Sequence, residues 1–284
     1  MLTPEQVRRL REVPGFKSSP TSFIEPDGAI DYFRRKFIEN LGSGVDLKRT
    51  ILLDAGCHEG WNVLAFLLSG GRLAIGIDMN PEAVRVADEF ARILGVRERV
   101  VFCHGSITRL PLLDRSVDAV CCIEVLEHLD GGADAALAEL NRVARSTVLI
   151  TTPNKLAPVV AHDTRLPLAH WMPPTRRRWY AKLFGREADD ERNVFVTPFQ
   201  VTRGLADFRL ASEFLGFESF RAFEAFFPHY LPYMGEGVSG VRDLGRAKRA
   251  VYWLAHRLFG RGSFYVLPSL TARFERRVAS TRER

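Results

Sequence analysis

Short apolar runs bounded by turn residues recur through the first half of the chain, at Thr50 to Leu53, Leu73 to Ile77, Arg99 to Cys103, Val117 to Ile123 and Thr147 to Thr151. Between them the apolar positions change to a helical period, over Trp61 to Ser69, Pro81 to Leu94 and Ala133 to Ala144. In the second of these Asn80 is placed to cap, Pro81 opens the first turn, and Ala83, Val86, Ala87, Phe90, Ala91 and Leu94 share one face. Continuous apolar strands alternating with helices predict a parallel sheet covered on both faces. The right-handed crossover rule makes that sheet doubly wound. Upstream, Thr3-Pro4-Glu5-Gln6 is a helix start, and a second helix is expected from Ala29 to Leu41, closed by Gly42 and Gly44.

After Thr152 the alternation stops. Residues 155 to 196 are rich in Pro, Arg, His and Trp and read as an irregular, partly helical cover. A helix from Arg203 to Leu215, a strand from Glu218 to Phe226, a helix over "RDLGRAKRAVYWLAHRLF" and a strand from Leu270 to Arg276 are expected to follow. The expected fold is α/β: a doubly wound, mainly parallel, seven-stranded Rossmann-like sheet. N-terminal helices occupy 1–47, the core 48–154, a cap after the fifth strand 155–202, and a C-terminal part with a basic helical insertion before the last strand 203–284.

Composition adds limits. With 284 residues, 46% of them hydrophobic and 26% charged, and no low-complexity run, the chain can build one sizeable core. The N-terminal stretch "MLTPEQVRRLREVPGF" carries charges throughout, and no apolar run approaches the ~18 residues of a membrane span. A cytoplasmic protein that does not cross a membrane is expected. Cys57, Cys103, Cys121 and Cys122 lack metal-ligand spacing and fit a reduced compartment. The net charge of +6 is uneven: residues 241 to 284 hold 11 Lys and Arg against three acids, and the preceding 240 hold 29 against 31. An anionic partner is therefore expected at the C-terminal end, where a basic helix also suits peripheral contact with a membrane.

The first strand runs into "LDAGCHEG". In a doubly wound sheet ligands sit beyond the carboxyl ends of the strands. Gly56 and Gly60 let the backbone turn sharply there, and the next helix points its free N–H groups toward whatever arrives. The second strand ends in "IGIDMN", with Asp78 placed 22 residues after Gly56 and able to take both hydroxyls of a ribose. Together these predict an adenosine-containing cofactor. The glycines do not follow G-x-G-x-x-G, and Asp54 stands where a dinucleotide would bring pyrophosphate. A carboxylate so placed suits a ligand carrying ammonium or sulfonium, which favours S-adenosyl-L-methionine.

The segments "LLDAGCHEG", "GIDMNPEAV", "GSITRLPLLDRSVDAV" and "CIEVLEHL" together resemble the successive motifs of class I S-adenosylmethionine-dependent methyltransferases, in the type 11-like group that includes the ubiquinone and menaquinone biosynthesis enzymes. The likeness covers about residues 48 to 154. It implies that Asp54, Gly56 and Gly60, with Cys57 in the same loop, shape the methionine end of the cofactor site and that Asp78 holds the ribose. Met79 and Ile107 would sandwich the adenine. Ser106 stands where many relatives have Asp at the adenine amino group, and His58 where Gly is common. Glu124, with Leu126, Glu127 and His128, would border the sulfonium.

The bland readings are definite too. Asp78 could cap the helix at "NPEA", and Glu127 and His128 could be an acid and a base at a helix entry. His162, Asp163, His170 and Trp171 fall where such a fold places acceptor-binding elements, or form a polar aromatic surface loop. His162, His170 and His128 are the candidate general bases for a hydroxyl acceptor. The helix from Arg242 to Phe259 is expected to dock through Leu244, Ala247, Val251, Leu254 and Leu258, with Arg242, Arg246, Arg249 and His256 on another side. Aromatic residues in "HWMPP", "RRRWYAKLF" and "FFPHYLPYM" point to an apolar pocket for a small or lipid-like acceptor, such as a lipid, quinone or glycolipid precursor, and O-methylation is the expected transfer. A soluble secondary metabolite or sugar, RNA, and a non-catalytic binding module are the alternatives. Nucleic acid is disfavoured because the core is slightly acidic and shows no RNA-binding module.

Overall fold

The computed structural model describes residues 2–16, 25–160, 166–186, 193–226 and 246–277. At the centre of the sheet lies β1 (Ile51–Ala55), parallel to β2 (Leu73–Asp78) on one side and to β4 (Val117–Ile123) on the other. Beyond them β3 (Val100–His104) and β5 (Ala144–Thr151) continue the parallel array. The chain returns antiparallel as β7 (Ala272–Arg276) beside β5, with the short β6 (Phe208–Leu210) outermost, giving the order β3-β2-β1-β4-β5-β7-β6. The expected seven-stranded, mainly parallel sheet is thus formed. Its order reverses between β1 and β4, which is where such sheets open a crevice.

Alternate strand residues feed two cores. Leu52 and Cys121 face one, which also holds Phe16, Tyr32, Phe66 and Phe90; Leu53 and Cys122 face the other, with Leu137, Leu140 and Phe274. The first core is covered by α1 (Pro4–Glu12), α2 (Pro26–Lys36), α3 (Trp61–Leu68) and α4 (Pro81–Ile93). Thr3 and Gln6 form the capping box of α1, and the Asn80 side chain accepts the Glu82 and Ala83 N–H groups at the start of α4. Phe16 sits against Phe90 and Trp61, tying the N-terminal segment to α3 and α4. On the second core lie α5 (Ala133–Val143) and α7 (Pro198–Gly204), with α6 (Pro174–Leu183) in the segment after β5. Asn154 fastens that segment to the C-terminal part: its N–H donates to the Pro268 carbonyl at 2.9 Å and its amide to the Leu267 carbonyl at 2.8 Å.

Three expectations are corrected. The second helix begins at Pro26 and ends at Lys36, and a single 3-10 turn takes Ile38–Asn40. The expected helix from Arg203 to Leu215 does not form, since α7 stops at Gly204 and β6 follows. Gly204 lets α7 lie close on α5, since a Cβ there would meet the Leu137 Cβ at 2.5 Å. The expected strand from Glu218 to Phe226 is instead α8 (Phe220–Phe226), in which Phe220, Phe223 and Phe226 are all buried. Their spacing of three is helical, and it prevails over the β-propensity of phenylalanine.

The helix near the C-terminus, α9 (Arg246–Phe259), forms but is turned over. Tyr252 and His256 face the domain, and Val251, Leu254 and Leu258 face solvent. The aromatic cluster of Phe214, Phe220 and Phe223 offers Tyr252 and His256 ring partners that no aliphatic side chain would match.

Candidate active site

The loops at the carboxyl ends of β1, β2 and β4 converge. Gly56 and Cys57 both donate their N–H to the Ile77 carbonyl, at 2.8 and 3.1 Å, which seats the first loop on β2. Gly56 has φ +84°, and a Cβ there would fall 2.4 Å from a Val125 methyl, so glycine is required both by conformation and by the approach of the β4 loop. His58 also has positive φ, +45°. It keeps the left-handed turn that glycine would otherwise supply, and histidine tolerates that region better than most residues.

Asp78 stitches the loops together. Its Oδ2 accepts the His58 N–H at 2.7 Å and its Oδ1 the Asn80 N–H at 2.8 Å. A carboxylate offers about four acceptor positions, so two remain for other donors. Both readings of Asp78 are therefore compatible with its geometry. Met79, beside it, is exposed, and Ile107, after β3, is buried in the second core. The Ser106 hydroxyl lies 2.8 Å from that of Thr108 and accepts the Thr108 N–H, so it serves its own turn.

Asp54 is 3% exposed on β1, and burial pushes its pKa up to about 7, with the Asp78 charge adding to the rise and the Asn62 amide opposing it. A buried carboxylate whose pKa no cation among the described residues lowers suits a positively charged ligand. Burial likewise raises the thiols of Cys57, Cys121 and Cys122, leaving them poor nucleophiles.

The β4 loop brings two acids together. Glu124 is held at φ +54° as its N–H donates to the Thr151 carbonyl at 2.7 Å. Glu127 is fully buried and accepts the Thr152 hydroxyl at 2.8 Å, and its backbone carbonyl accepts the Val194 N–H. Burial, then the neighbouring Glu124 charge, push the Glu127 pKa well above the ordinary carboxylate range. These contacts give Glu127 a clear structural part, joining the β4 loop to β5 and the cap. The His128 ring is about half exposed, with Nε2 4.0 Å from Glu127 Oε1.

His170 is placed differently. Its Nε2 is 3.0 Å from the Lys155 carbonyl, which also accepts the Trp171 indole N–H at 2.6 Å, and its ring stands edge-on to Phe195. His162 and Asp163, and all of "FFPHYLPYM" after Phe226, lie outside the described residues.

Two residues escaped the sequence reading. Tyr32, buried on α2, has its phenol pKa raised by burial and by the Glu124 charge, and Lys36 Nζ donates to its hydroxyl at 2.7 Å. The Glu124 charge thus acts on a side chain of an N-terminal helix, and nothing local in the sequence announces that. Glu59, within the glycine loop and buried, accepts the Trp61 indole N–H at 3.2 Å. Its place between His58 and Gly60 was the available signal.

A cleft of about 570 Å³ opens at the opposite, amino end of the sheet, lined by Lys48, Arg49, Arg72, Asp118 and Arg145 among others. The converging loops are at the other end, and the ligand rule for such sheets points to them.

Residues 53–150 match the family model described as a methyltransferase domain. A "Probable S-adenosylmethionine-dependent methyltransferase" of Mycolicibacterium smegmatis is 34% identical over 152 residues, 51% of this chain and 54% of that protein. The norajmaline N-methyltransferase of Rauvolfia serpentina is 28% identical over 136 residues, covering 46% of this chain and 43% of its own. The chain thus spans about half the length of the curated relatives it matches. A solved geranyl diphosphate methyltransferase in complex with SAM shares the fold at a TM-score of 0.50, with 14% identity and 95% of each chain covered. The family resemblance carried by the four motifs is borne out over residues 53–150, which match the methyltransferase domain model and fall in the part of the chain similar to an S-adenosylmethionine-dependent relative.

Proposed function

We propose that the protein transfers a methyl group from S-adenosyl-L-methionine to a small or lipid-like acceptor. The observation that carries this is the buried Asp54 carboxyl at the end of β1, where the loops after β1, β2 and β4 meet. Its chemistry fits the cofactor: a cationic ligand beside Asp54 would ionise it, and Asp78 keeps acceptor positions for ribose hydroxyls. Asp54, Gly56, Cys57 and Gly60 would hold the methionine end, Met79, Ser106 and Ile107 the adenine end, and Glu124 the edge nearest the acceptor.

When bound, the cofactor supplies an already activated methyl group. What remains for the chain is orientation and exclusion of water, an effect worth several kcal/mol, up to ~10. Burial, then the Glu124 charge, push the Glu127 pKa well above the ordinary carboxylate range, which disfavours a second charge beside Glu124. A hydroxyl acceptor needs its proton removed. His128 has a half-exposed ring beside that loop; His170 and His162 are the bases the cap would supply.

A lipid, quinone or glycolipid precursor, O-methylation, cytoplasmic residence and peripheral membrane contact belong to this reading. Among the described residues no helix is long and apolar enough to cross a membrane. The plant relative's name favours a second acceptor class, a soluble amine.

Calorimetric titration with S-adenosylhomocysteine, beside the Asp78→Ala variant, is the test. Micromolar binding that the variant loses is expected, followed by labelled-methyl transfer in an acceptor screen. A folded wild type without binding would overturn the reading.

A further inference from the structure

One face attaches α9 to the domain. Tyr252 stands edge-on to Phe214 and Phe223, and His256 is stacked on Phe220 at 5.2 Å, with Nε2 3.2 Å from Glu213 Oε1. The other side carries Ala250, Val251, Leu254 and Leu258 within an arc of about 100°. Val251 is 61%, Leu254 50% and Leu258 65% exposed, so an aliphatic stripe two turns long faces outward. On a monomer in water such a stripe is unfavourable, and it marks a surface that something covers.

The charges around it indicate what. Helix α9 contains no acidic residue, and the exposed Arg246 and Arg257 fall along one border of the stripe. Arg249, further round and also exposed, is engaged by Glu224 of α8 at 2.6 Å, so the arginines of this helix that flank the aliphatic residues without an acidic partner among the described residues are Arg246 and Arg257. A second apolar protein surface would need only the stripe. An apolar layer behind an anionic plane needs both, in this order around the helix: aliphatic side chains at the centre, and long cationic ones that reach sideways.

We propose that α9 is an interfacial helix that seats the protein on an anionic lipid bilayer, with Val251, Leu254 and Leu258 entering the headgroup and acyl boundary and Arg246 and Arg257 meeting lipid phosphates. The proposal rests on the methyl-transfer reading only for its purpose, which is to bring the site to a lipid-like acceptor. The binding itself requires no cofactor.

The test is sedimentation with vesicles of phosphatidylcholine and phosphatidylglycerol at low salt. The wild type is expected to pellet, and vesicles of phosphatidylcholine alone to retain much less. The Leu254→Glu/Leu258→Glu variant should lose at least about tenfold in partitioning, and Arg246→Ser/Arg257→Ser roughly tenfold. A circular-dichroism melt checks that each variant is folded, and S-adenosylhomocysteine calorimetry reports the methyl-transfer reading separately. The proposal is overturned if the wild type stays in solution, if the double-Glu variant pellets as well as the wild type, or if analytical ultracentrifugation shows a dimer that this variant dissolves. In the last case the stripe is an interface between copies.

Discussion

Helices α4 and α9 lean on the same hydrophobic core, yet they use similar patterns in opposite senses. Along α4, Ala83, Val86, Ala87, Phe90 and Ala91 are buried and the charges of Glu82, Arg85 and Glu89 face water. Along α9, Tyr252 and Ala255 touch the core while Val251, Leu254 and Leu258 stand outside. The difference lies in what each helix meets. The sheet gives α4 a continuous apolar surface, whereas α9 meets a small aromatic cluster that accepts rings and, among the described residues, leaves its aliphatic side exposed. Amphipathicity states that a helix has two faces; the partner surface decides which one is buried.

The contrast can be broken most severely at Phe90. It is fully buried between Phe16 and Trp61, with ring centroids 5.9 and 5.0 Å away, and Phe90→Ala should cost about 3–5 kcal/mol in urea unfolding. The packed half also buries a carboxyl group. Asp54 has a folded-state pKa of about 7 against an ordinary 3.8, so between those values the native chain keeps a proton that the unfolded chain releases. Stability is full below about pH 4 and falls as the pH rises through 7, by about 4 kcal/mol from this group. Asp54→Asn should therefore gain stability over the wild type progressively from pH 4 to 8, while S-adenosylhomocysteine binding weakens. Equal pH slopes for the two proteins would show that Asp54 is not the source.

A smaller effect is expected at the entry to α4, where Asn80→Ala removes the acceptor of two N–H groups and should cost about 1 kcal/mol. Smallest of all, Leu254→Ser with Leu258→Ser on α9 should change unfolding by no more than about 0.5 kcal/mol, since neither side chain is buried. A loss resembling that of Phe90→Ala would mean that α9 packs through its aliphatic side after all.

The same contrast explains what the sequence disclosed. From Ile51 to Thr151 each strand ends in a loop whose chemistry is local, so Asp54, Gly56, Gly60 and Asp78 were legible in place and in part. The burial of Asp54 depends on Asn62, Cys121 and the sheet around it, and so its raised pKa was not. Tyr32 approaches Glu124 from a helix far away in the chain, with no motif to mark the meeting. Beyond Thr152 the elements are short. β6 has three residues, too few to show alternation, and the Phe220, Phe223 and Phe226 triplet has both an aromatic strand composition and a helical spacing.

Tyr32 bears on how the protein is divided in thought. The recognisable stretch runs from 53 to 150, yet the charge of its Glu124 acts on Tyr32 of α2, upstream of that stretch, and Arg273 of β7 reaches back to the Asn40 carbonyl at 3.3 Å. The stretch is therefore not a cassette to be lifted out and grafted. Trimming at its edges would strip away the helix that the Glu124 charge acts on and the antiparallel strand that flanks β5, so inheritance of the motifs alone would not carry inheritance of the whole sheet.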